Sequence, residues 1–298
     1  MMHLTLRQMQ VFEAVVRHHG VTAAARELHC TQPSVSIQLK QLAEQVGMPL
    51  FDHSLGRLTL TDAGQALYRA CQEVQGALRD FETSIGNLQG LQRGRLRIGV
   101  VSTAKYFMPR LLGPFCQRYP DIEVGIEVSN RERIVERLRE GLDDLSFMSR
   151  PPEDIDLEVR PFLDNPLVLI APADSPLAGK LLPGIEALVG ERMLLREPGS
   201  GTRIAVDDYL AEHKVKLGVR MEIGSNEAIK QAVAGGLGLS IISRHAIRDM
   251  PGIVELQCAG FPIMSTWKIV RPAKRPLSLI AERFIDYLLQ EGLQQIHS

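Results

Sequence analysis

Hydroxyl groups and cationic side chains recur directly after predicted strands in the second part of this chain. Hydroxyls, guanidinium groups and the free amides at helix N-termini all bind phosphates and carboxylates. The pattern therefore predicts a site for a small anion. Some of these serines can instead serve only as helix caps, and that alternative stays open. The candidate residues are Ser102, Thr103, Lys105, Asn130, Arg131, Ser149, Arg150, Arg196, Ser200, Thr202, Arg203 and Asn226.

The sequence contains no recognisable catalytic pattern. HExxH, GxSxG and Walker motifs are missing, the eight histidines are scattered, and the four cysteines have no metal-ligand spacing. We therefore predict that the protein is not an enzyme and that it has no metal and no cofactor.

A second group of candidate residues lies near the N-terminus, where short polar side chains follow one another at helical spacing. Side chains of this size can lie against base edges without steric conflict. The residues on this predicted DNA-facing surface are Ser34, Ser36, Ile37, Gln38 and Lys40, and the further DNA-binding candidates at the start of the same segment are Thr31, Gln32 and Pro33.

Two short helices must position that surface. The segment 21–42 predicts a helix rich in alanine, a corner at residues 30–32 and a second helix. Thr31 or Gln32 can cap the second helix, Pro33 is tolerated in a first turn, and apolar residues at three- and four-residue spacing form its buried face. This arrangement is typical of a helix-turn-helix, although an ordinary helical hairpin in an enzyme is the alternative.

Two further elements complete the predicted N-terminal region. A small hairpin follows the helices, and its plausible DNA contacts are His53 and Arg57. A long helix over 62–89 then repeats Leu67, Val74, Phe81 and Leu88 every seven residues, which predicts pairing with a second copy of itself.

From residue 95 onward, predicted strands alternate with helices. The pattern is interrupted by Pro151 and Pro152 and then repeats. It indicates two βαβ-rich lobes that hold a small ligand between them, at loops that follow the strands.

Composition limits the partners. The 298 residues suit about two domains. The net charge is −1, and residues 1–60 carry five Lys and Arg against four Asp and Glu. More than one copy would therefore have to bind DNA together to reach useful affinity. We see neither a secretory signal nor an apolar run of membrane-spanning length, so we expect a cytoplasmic protein that does not contact membranes.

Several segments together resemble the LysR-type transcriptional regulators. In the N-terminal part these are RQMQVFEAVVRHHGVTAAARELHCTQPSVSIQLKQLAEQVGMPLF and LTLTDAG. In the C-terminal part, VSTAKYFMPRLL, NRE, MSRPP, REPGSGTR and GSNEAIKQAVAGGLGLSIIS are similar to the regulators of the Calvin-cycle RuBisCO operon.

The resemblance implies a specific architecture. It comprises an all-α winged helix-turn-helix domain over 1–61, a linker and dimerisation helix over 62–91, and an α/β effector domain over 95–298. The effector domain consists of two Rossmann-like lobes of the periplasmic-binding-protein type. Lobe I covers about 95–163 and 267–298, and lobe II about 164–266.

The resemblance also implies partners and ligands. These are double-stranded promoter DNA, a homodimer that pairs again into a tetramer, a contact with RNA polymerase, and activation of transcription. The effectors implied are a sugar phosphate, phosphoglycolate, phosphoenolpyruvate or NADPH. By position, Gln32, Pro33, Ser36 and Ile37 would touch bases, and Ser34 and Gln38 would touch phosphate or adjacent bases.

Two positions depart from the family pattern. His53 stands where an arginine is usual in the wing, which leaves Arg57 to read the minor groove, and Ala43 replaces the usual glutamate. Two alternatives also stay open: a two-lobed binding protein or enzyme without a DNA role, and a regulator of this family with an aromatic or sulfonate effector.

Overall fold

The computed structural model describes residues 3–52, 58–88, 94–248 and 250–292. Contacts divide the chain into two compact units, Met1–Phe81 and Glu82–Ser298. The boundary between the units falls within the long helix, and the domain bounds given above remain a prediction. We describe each unit separately.

The first unit begins with three helices, α1 (Leu6–His18), α2 (Val21–Glu27) and α3 (Gln32–Val46). Thr31 caps α3 by accepting a hydrogen bond from the Ser34 amide, and Pro33 lies in the first turn. The helix ends at Gly47, whose φ of 76° suits a residue without a side chain. The predicted helix-turn-helix is thus confirmed.

A short antiparallel hairpin, β1 (Phe51–Asp52) and β2 (Thr59–Leu60), follows the helices. Helix α4 (Asp62–Leu88) then extends for 27 residues. Gly64 lies so close to the hairpin that an added Cβ would stand 2.1 Å from the carbonyl oxygen of Leu50. This close approach explains why glycine is needed in the first turn of α4.

The apolar stripe on α4 lies in two different environments, whereas the sequence predicted a single surface for pairing with a second copy. Leu67 is buried with Phe12, Leu42, Leu50 and Cys71 in the core of the first unit. The prediction for Leu67 was therefore wrong, because hydrophobic burial within its own chain already removes it from water. Farther along the helix, Leu78, Phe81 and Ile85 are exposed.

The second unit contains two five-stranded sheets of related topology. In lobe I the strand order is β4-β3-β5-β14-β6. Strand β3 runs parallel to β4 and β5, whereas β14 is antiparallel to β5 and β6. These strands are β3 (Gly94–Val101), β4 (Ile122–Ser129), β5 (Leu145–Met148), β6 (Leu157–Asp164) and β14 (Thr266–Pro272), and the helices are α5 (Met108–Arg118), α6 (Arg131–Arg139) and α9 (Leu279–Tyr287).

Lobe II repeats this pattern with the order β10-β9-β11-β7-β12. Strand β9 is parallel to β10 and β11, and β7 is antiparallel to β11 and β12. The lobe comprises β7 (Leu167–Pro172), β8 (Leu181–Leu182), β9 (Met193–Arg196), β10 (Val219–Ile223), β11 (Leu239–Ser243), β12 (Ile253–Glu255), β13 (Gln257–Cys258), α7 (Gly201–Glu212) and α8 (Asn226–Ala234).

The predicted alternation of strands and helices from residue 95 onward is observed in both lobes. Arg160 and Pro161 interrupt the apolar pattern of β6, so this strand is hard to recognise from sequence. The last helix ends at Tyr287, and a π-helical turn, Leu288–Gly292, follows it. The chain crosses between the sheets after Asp164 and before Thr266.

Candidate DNA-binding and effector-binding sites

Helix α3 presents an exposed, mostly uncharged face in the first unit. Gln32, Pro33 and Ser36 are exposed, and Ile37 keeps 57% of its surface in contact with solvent. An exposed isoleucine among polar residues suits contact with a thymine methyl group, and glutamine suits the edge of adenine. This face has the chemistry that base reading requires.

The turn between α2 and α3 holds Gln32 in place. The Thr22 hydroxyl at the start of α2 donates to the Gln32 side-chain oxygen at 3.2 Å. The sequence analysis missed Thr22, although its place in the first turn of α2 was a signal. Fixing one end of Gln32 reduces the rotamer freedom that binding would otherwise remove.

Four other predicted residues have partners within α3 or at its N-cap. Gln38 donates to the Ser34 hydroxyl at 3.4 Å, and both residues are half-buried. Lys40 is 80% exposed and lies 3.9 Å from Glu44, so its charge remains accessible to phosphate. Thr31 accepts the capping hydrogen bond. His53 and Arg57 lie outside the described residues.

In the second unit, a small polar cavity lies between the two lobes, and we call it the interlobe cavity. It stands at the carboxyl ends of β3, β5 and β9, where α7 begins, which is the usual place for a ligand in sheets of this kind. Eight of the twelve predicted effector residues line it. The full lining is Val101, Ser102, Thr103, Arg131, Met148, Ser149, Arg150, Arg196, Ser200, Gly201 and Thr202.

Arg196 is the central cation of this cavity, and it is only 3% exposed. Its guanidinium forms two hydrogen bonds with Glu197, at 2.7 and 2.9 Å, and donates to the Asn226 side-chain oxygen at 2.8 Å. It also donates to the Ser102 hydroxyl of lobe I at 3.3 Å. Arg196 therefore connects the two lobes.

Arg131 enters the cavity from the first turn of α6 in lobe I. Its Nε donates to the Arg150 carbonyl oxygen at 2.7 Å. Among the residues that the structure describes, no carboxylate lies within 4 Å of its guanidinium. Burial lowers the pKa of Arg131 below its ordinary value, and the nearby charge of Asp154 only partly offsets it. An anion in the cavity would supply further compensation.

The hydroxyls of the cavity come from both lobes. Thr103 and Ser149 of lobe I and Ser200 and Thr202 of lobe II are all buried. Ser200 also caps α7 by accepting from the Arg203 amide at 3.1 Å. A Cβ on Gly201 would stand 2.7 Å from the Ser149 hydroxyl, so glycine is needed for the lobes to approach this closely.

Four predicted effector residues lie outside the cavity lining. Lys105 lies 3.9 Å from Glu227 and over the Tyr106 ring. Asn130 caps α6 by accepting from the Arg133 amide at 2.9 Å. Lys105 is thus paired with a carboxylate of lobe II, and the Asn130 oxygen is used by its own helix, so neither side chain lines the interlobe cavity.

Arg203 and Asn226 support Arg196 instead of facing the ligand. Arg203 pairs with Asp207 and Glu222 and donates to the Arg196 carbonyl oxygen at 2.9 Å. Asn226 accepts from the Arg196 guanidinium. Sequence reasoning also missed Glu197, which pairs with Arg196; its place directly after a buried arginine at a strand end was the available signal.

The described residues hold no cluster of three or more possible metal ligands. In the same ranges, no helix has the length and apolar character needed to cross a membrane. A helix-turn-helix with a base-reading face, combined in one chain with a two-lobed cavity for an anion, defines a ligand-responsive DNA-binding protein.

Comparison with protein families agrees with this class. Residues 6–65 match the bacterial regulatory helix-turn-helix proteins of the lysR family, and residues 89–293 match the LysR substrate binding domain. The chain belongs to the LysR family of transcriptional regulators.

Individual relatives cover almost the whole chain. The HTH-type transcriptional activator CmpR of Synechocystis sp. is 45% identical over 97% of this chain and 96% of that protein. The RuBisCO operon transcriptional regulator of Acidithiobacillus ferrooxidans is 43% identical over 96% of this chain and 94% of its own length. The chain is thus similar to a transcriptional activator and to a RuBisCO operon regulator over nearly its full length.

Solved structures show the same fold. The regulatory domain of CcmR from Synechocystis PCC6803, solved in complex with 2-PG, is 50% identical and covers 66% of this chain and 96% of its own, with a TM-score of 0.64. Full-length CbnR, solved with its target DNA, matches 97% of this chain and 100% of its own at 20% identity and a TM-score of 0.71, which supports the fold alone.

Proposed function

We propose that this regulator binds promoter DNA through the exposed face of α3 and that a small phosphorylated or carboxylated anion in the interlobe cavity controls that binding. The observation that carries the proposal is Arg131. It is a half-buried cation in a cavity lined with hydroxyls, and no described carboxylate lies within 4 Å of its guanidinium.

The chemistry of the cavity favours a phosphate over a neutral ligand. Arg131, Arg150 and Arg196 bring three guanidinium groups to its wall, while Glu197 and Asp208 compensate only Arg196 and Arg150. The N-terminus of α7 adds free amides next to Ser200 and Thr202. Guanidinium groups and helix N-termini are the usual ligands of phosphate oxygens.

The size of the cavity links ligand binding to movement of the lobes. Its free volume is about 10 Å³, which holds about one water molecule. A phosphate-bearing metabolite needs more space, so its entry must change contacts between the lobes. Arg196 with Ser102 and Arg150 with Asp208, at 2.8 Å, are the contacts that would yield. Coupling of this kind is typically worth ~1–3 kcal/mol.

Similarity to the relatives supports one class of ligand and target. The 2-PG complex of CcmR favours 2-phosphoglycolate, or a metabolite of similar charge, as the effector of this chain. The RuBisCO operon regulators favour genes of carbon fixation as its targets. Other sugar phosphates, phosphoenolpyruvate and NADPH remain in the set of effectors to be tested.

The exposed part of α4 supports dimerisation as a further element of the proposal. Leu78, Phe81 and Ile85 recur at three- and four-residue spacing and are 40%, 62% and 37% exposed. A second copy of the helix would bury them. We propose that such dimers pair again into a tetramer on two DNA sites and activate transcription through a contact with RNA polymerase.

The variant Arg131→Gln tests the role of the cavity. In titration calorimetry of the full chain with 2-phosphoglycolate, we expect the affinity to fall by about tenfold or more, because a desolvated charge-assisted contact is lost. Arg139→Gln is the matched control, since Arg139 lies on the same helix but pairs with the exposed Asp154. Equal affinity in the two variants would overturn the proposed ligand site.

A further inference from the structure

A second cavity in the same unit shares no lining residue with the interlobe cavity, and we call it the basic cavity. Its volume is about 570 Å³, which is within the range of small-molecule sites. Both lobes contribute to it. The lining residues are Tyr106, Phe107 and Arg110 of lobe I, Pro166 at the chain crossing, and Lys230 with 244–248 of lobe II.

The wall of the basic cavity carries excess positive charge. Lys230 is paired with Glu227 at 2.9 Å, and Arg244 is paired with Glu255. Arg110 and Arg248 are exposed at the same cavity, and neither has a carboxylate partner among the residues that the structure describes. Two cations thus remain available to an anion that enters.

The lining also has an apolar part. Tyr106, Pro166 and Ile247 are half-buried, and the Tyr106 ring lies 5.2 Å from the Lys230 ammonium. An aromatic ring, apolar side chains and a few convergent cations are the usual composition of a small-molecule site. Inorganic phosphate alone would leave this apolar surface unused.

We propose that the basic cavity is a second ligand site of this regulator, and that it binds a small anion with an apolar or planar body. The anionic group, phosphate or carboxylate, lies against Arg110 and Arg248, and the body lies against Tyr106 and Ile247. This site does not depend on ligand binding in the interlobe cavity.

Hydrogen bonds connect the surroundings of the two cavities. Glu227 accepts hydrogen bonds from both Lys230 and the Tyr106 hydroxyl, so it joins lobe II to lobe I beside the basic cavity. The preceding residue, Asn226, accepts a hydrogen bond from the Arg196 guanidinium of the interlobe cavity. The first turn of α8 therefore contacts both sites through adjacent residues.

Fluorescence offers a local probe of the basic cavity. Trp267 is the single tryptophan of the chain, it is buried, and its ring lies 5.5 Å from that of Phe107. We would titrate the full-length Arg131→Gln variant with phenyl phosphate and with phenylacetate at constant ionic strength, and follow both Trp267 fluorescence and heat. The Arg131→Gln background removes the proposed interlobe ligand contact, so the two proposals fail independently.

The variant pair Arg110→Gln/Arg248→Gln removes the two available cations. We expect saturable binding of at least one probe, weakened about tenfold or more by this pair. Arg192→Gln/Arg220→Gln is the control, because both arginines are exposed in lobe II and have no described carboxylate partner; it should change affinity less than about twofold.

The two probes distinguish the anionic group. Binding of phenyl phosphate alone assigns a phosphate, and binding of phenylacetate alone assigns a carboxylate. The proposal is overturned if cavity and control variants bind equally. It is also overturned if neither probe gives a saturable signal below about 1 mM.

Discussion

The predicted DNA-facing surface of α3 and the interlobe cavity differ in exposure and in charge. The α3 surface is exposed and nearly uncharged, with Gln32, Ser36 and Ile37 open to solvent. The cavity concentrates guanidinium groups and hydroxyls that are mostly buried, with Arg196 at 3% exposure. On the proposed function, the α3 surface would recognise DNA through many weak contacts, and the cavity would bind a charged group in a small space.

This difference determines whether a substitution at each site changes folding stability or only recognition. Exposed side chains of α3 contribute little to folding, so their substitution changes DNA recognition alone. The buried Arg196 of the cavity needs partners even without ligand, and Glu197, Asn226 and Ser102 supply them. We therefore expect substitution of Arg196 to affect stability as well as ligand response.

The largest expected effect is that of Arg196→Met. Removing the guanidinium leaves the Glu197 carboxylate and the Asn226 oxygen without a donor, so we expect a loss of about 2 kcal/mol in the free energy of unfolding, moderated by the partial exposure of Glu197. Urea unfolding followed by Trp267 fluorescence measures it. Arg160→Met, which breaks an exposed pair with Glu158, is the control. Equal urea midpoints for the two variants would show that the buried Arg196 contributes no more to stability than an exposed arginine.

The next effect concerns DNA recognition. Gln32→Ala and Ser36→Ala should each cost about 1–2 kcal/mol in binding to the specific promoter site, with little change in non-specific binding or in thermal stability. Competition gel shifts against unrelated duplex DNA measure this ratio. Gln45→Ala, at an exposed position in the last turn of the same helix, should have no effect. A variant that weakens both kinds of DNA equally would contradict the assignment to bases.

A smaller effect is expected for Lys40→Gln. Lys40 is a highly exposed cation on α3, so it can neutralise a phosphate but does not select a base. Its loss should weaken specific and non-specific binding alike and reduce the slope of log K against log salt by about 1 per protomer bound. Affinity measured at several salt concentrations tests this. A slope unchanged by the substitution would show that Lys40 does not contact phosphate.

The smallest effect is a pH dependence confined to the cavity region. Burial raises the pKa of Glu227, but hydrogen bonds from Tyr106 and Lys230 outweigh it and leave that pKa below 4.5, its ordinary value. Because the folded-state pKa is depressed, the stabilisation is fully present above pH 4.5 and is lost as the pH falls through the lowered pKa.

Melting temperatures of wild type and Glu227→Gln, measured across this range, should therefore converge in acid. A constant difference at every pH would show that Glu227 does not act through its charge.

Much of the fold follows from local patterns in the chain. The helix-turn-helix could be predicted because caps, a first-turn proline and apolar spacing all act within a few residues. Eight residues of the cavity could also be predicted, because strand ends followed by hydroxyls and cations meet at one edge in sheets of this topology. The roles of four further residues could not be predicted, because each depends on a hydrogen-bond or ion-pair partner that only the folded structure brings close. These residues are Lys105, Asn130, Arg203 and Asn226.

The sequence by itself determined the types of element, their order and the positions at which recognition chemistry could occur, because backbone propensity and burial depend on short-range spacing. Only the tertiary structure decided that Leu67 belongs to a core, that Arg196 is held by Glu197 and Asn226, and that Arg131 faces the cavity without a described carboxylate partner. Those outcomes depend on distances between residues far apart in the chain, and electrostatic and packing energies are fixed by such distances.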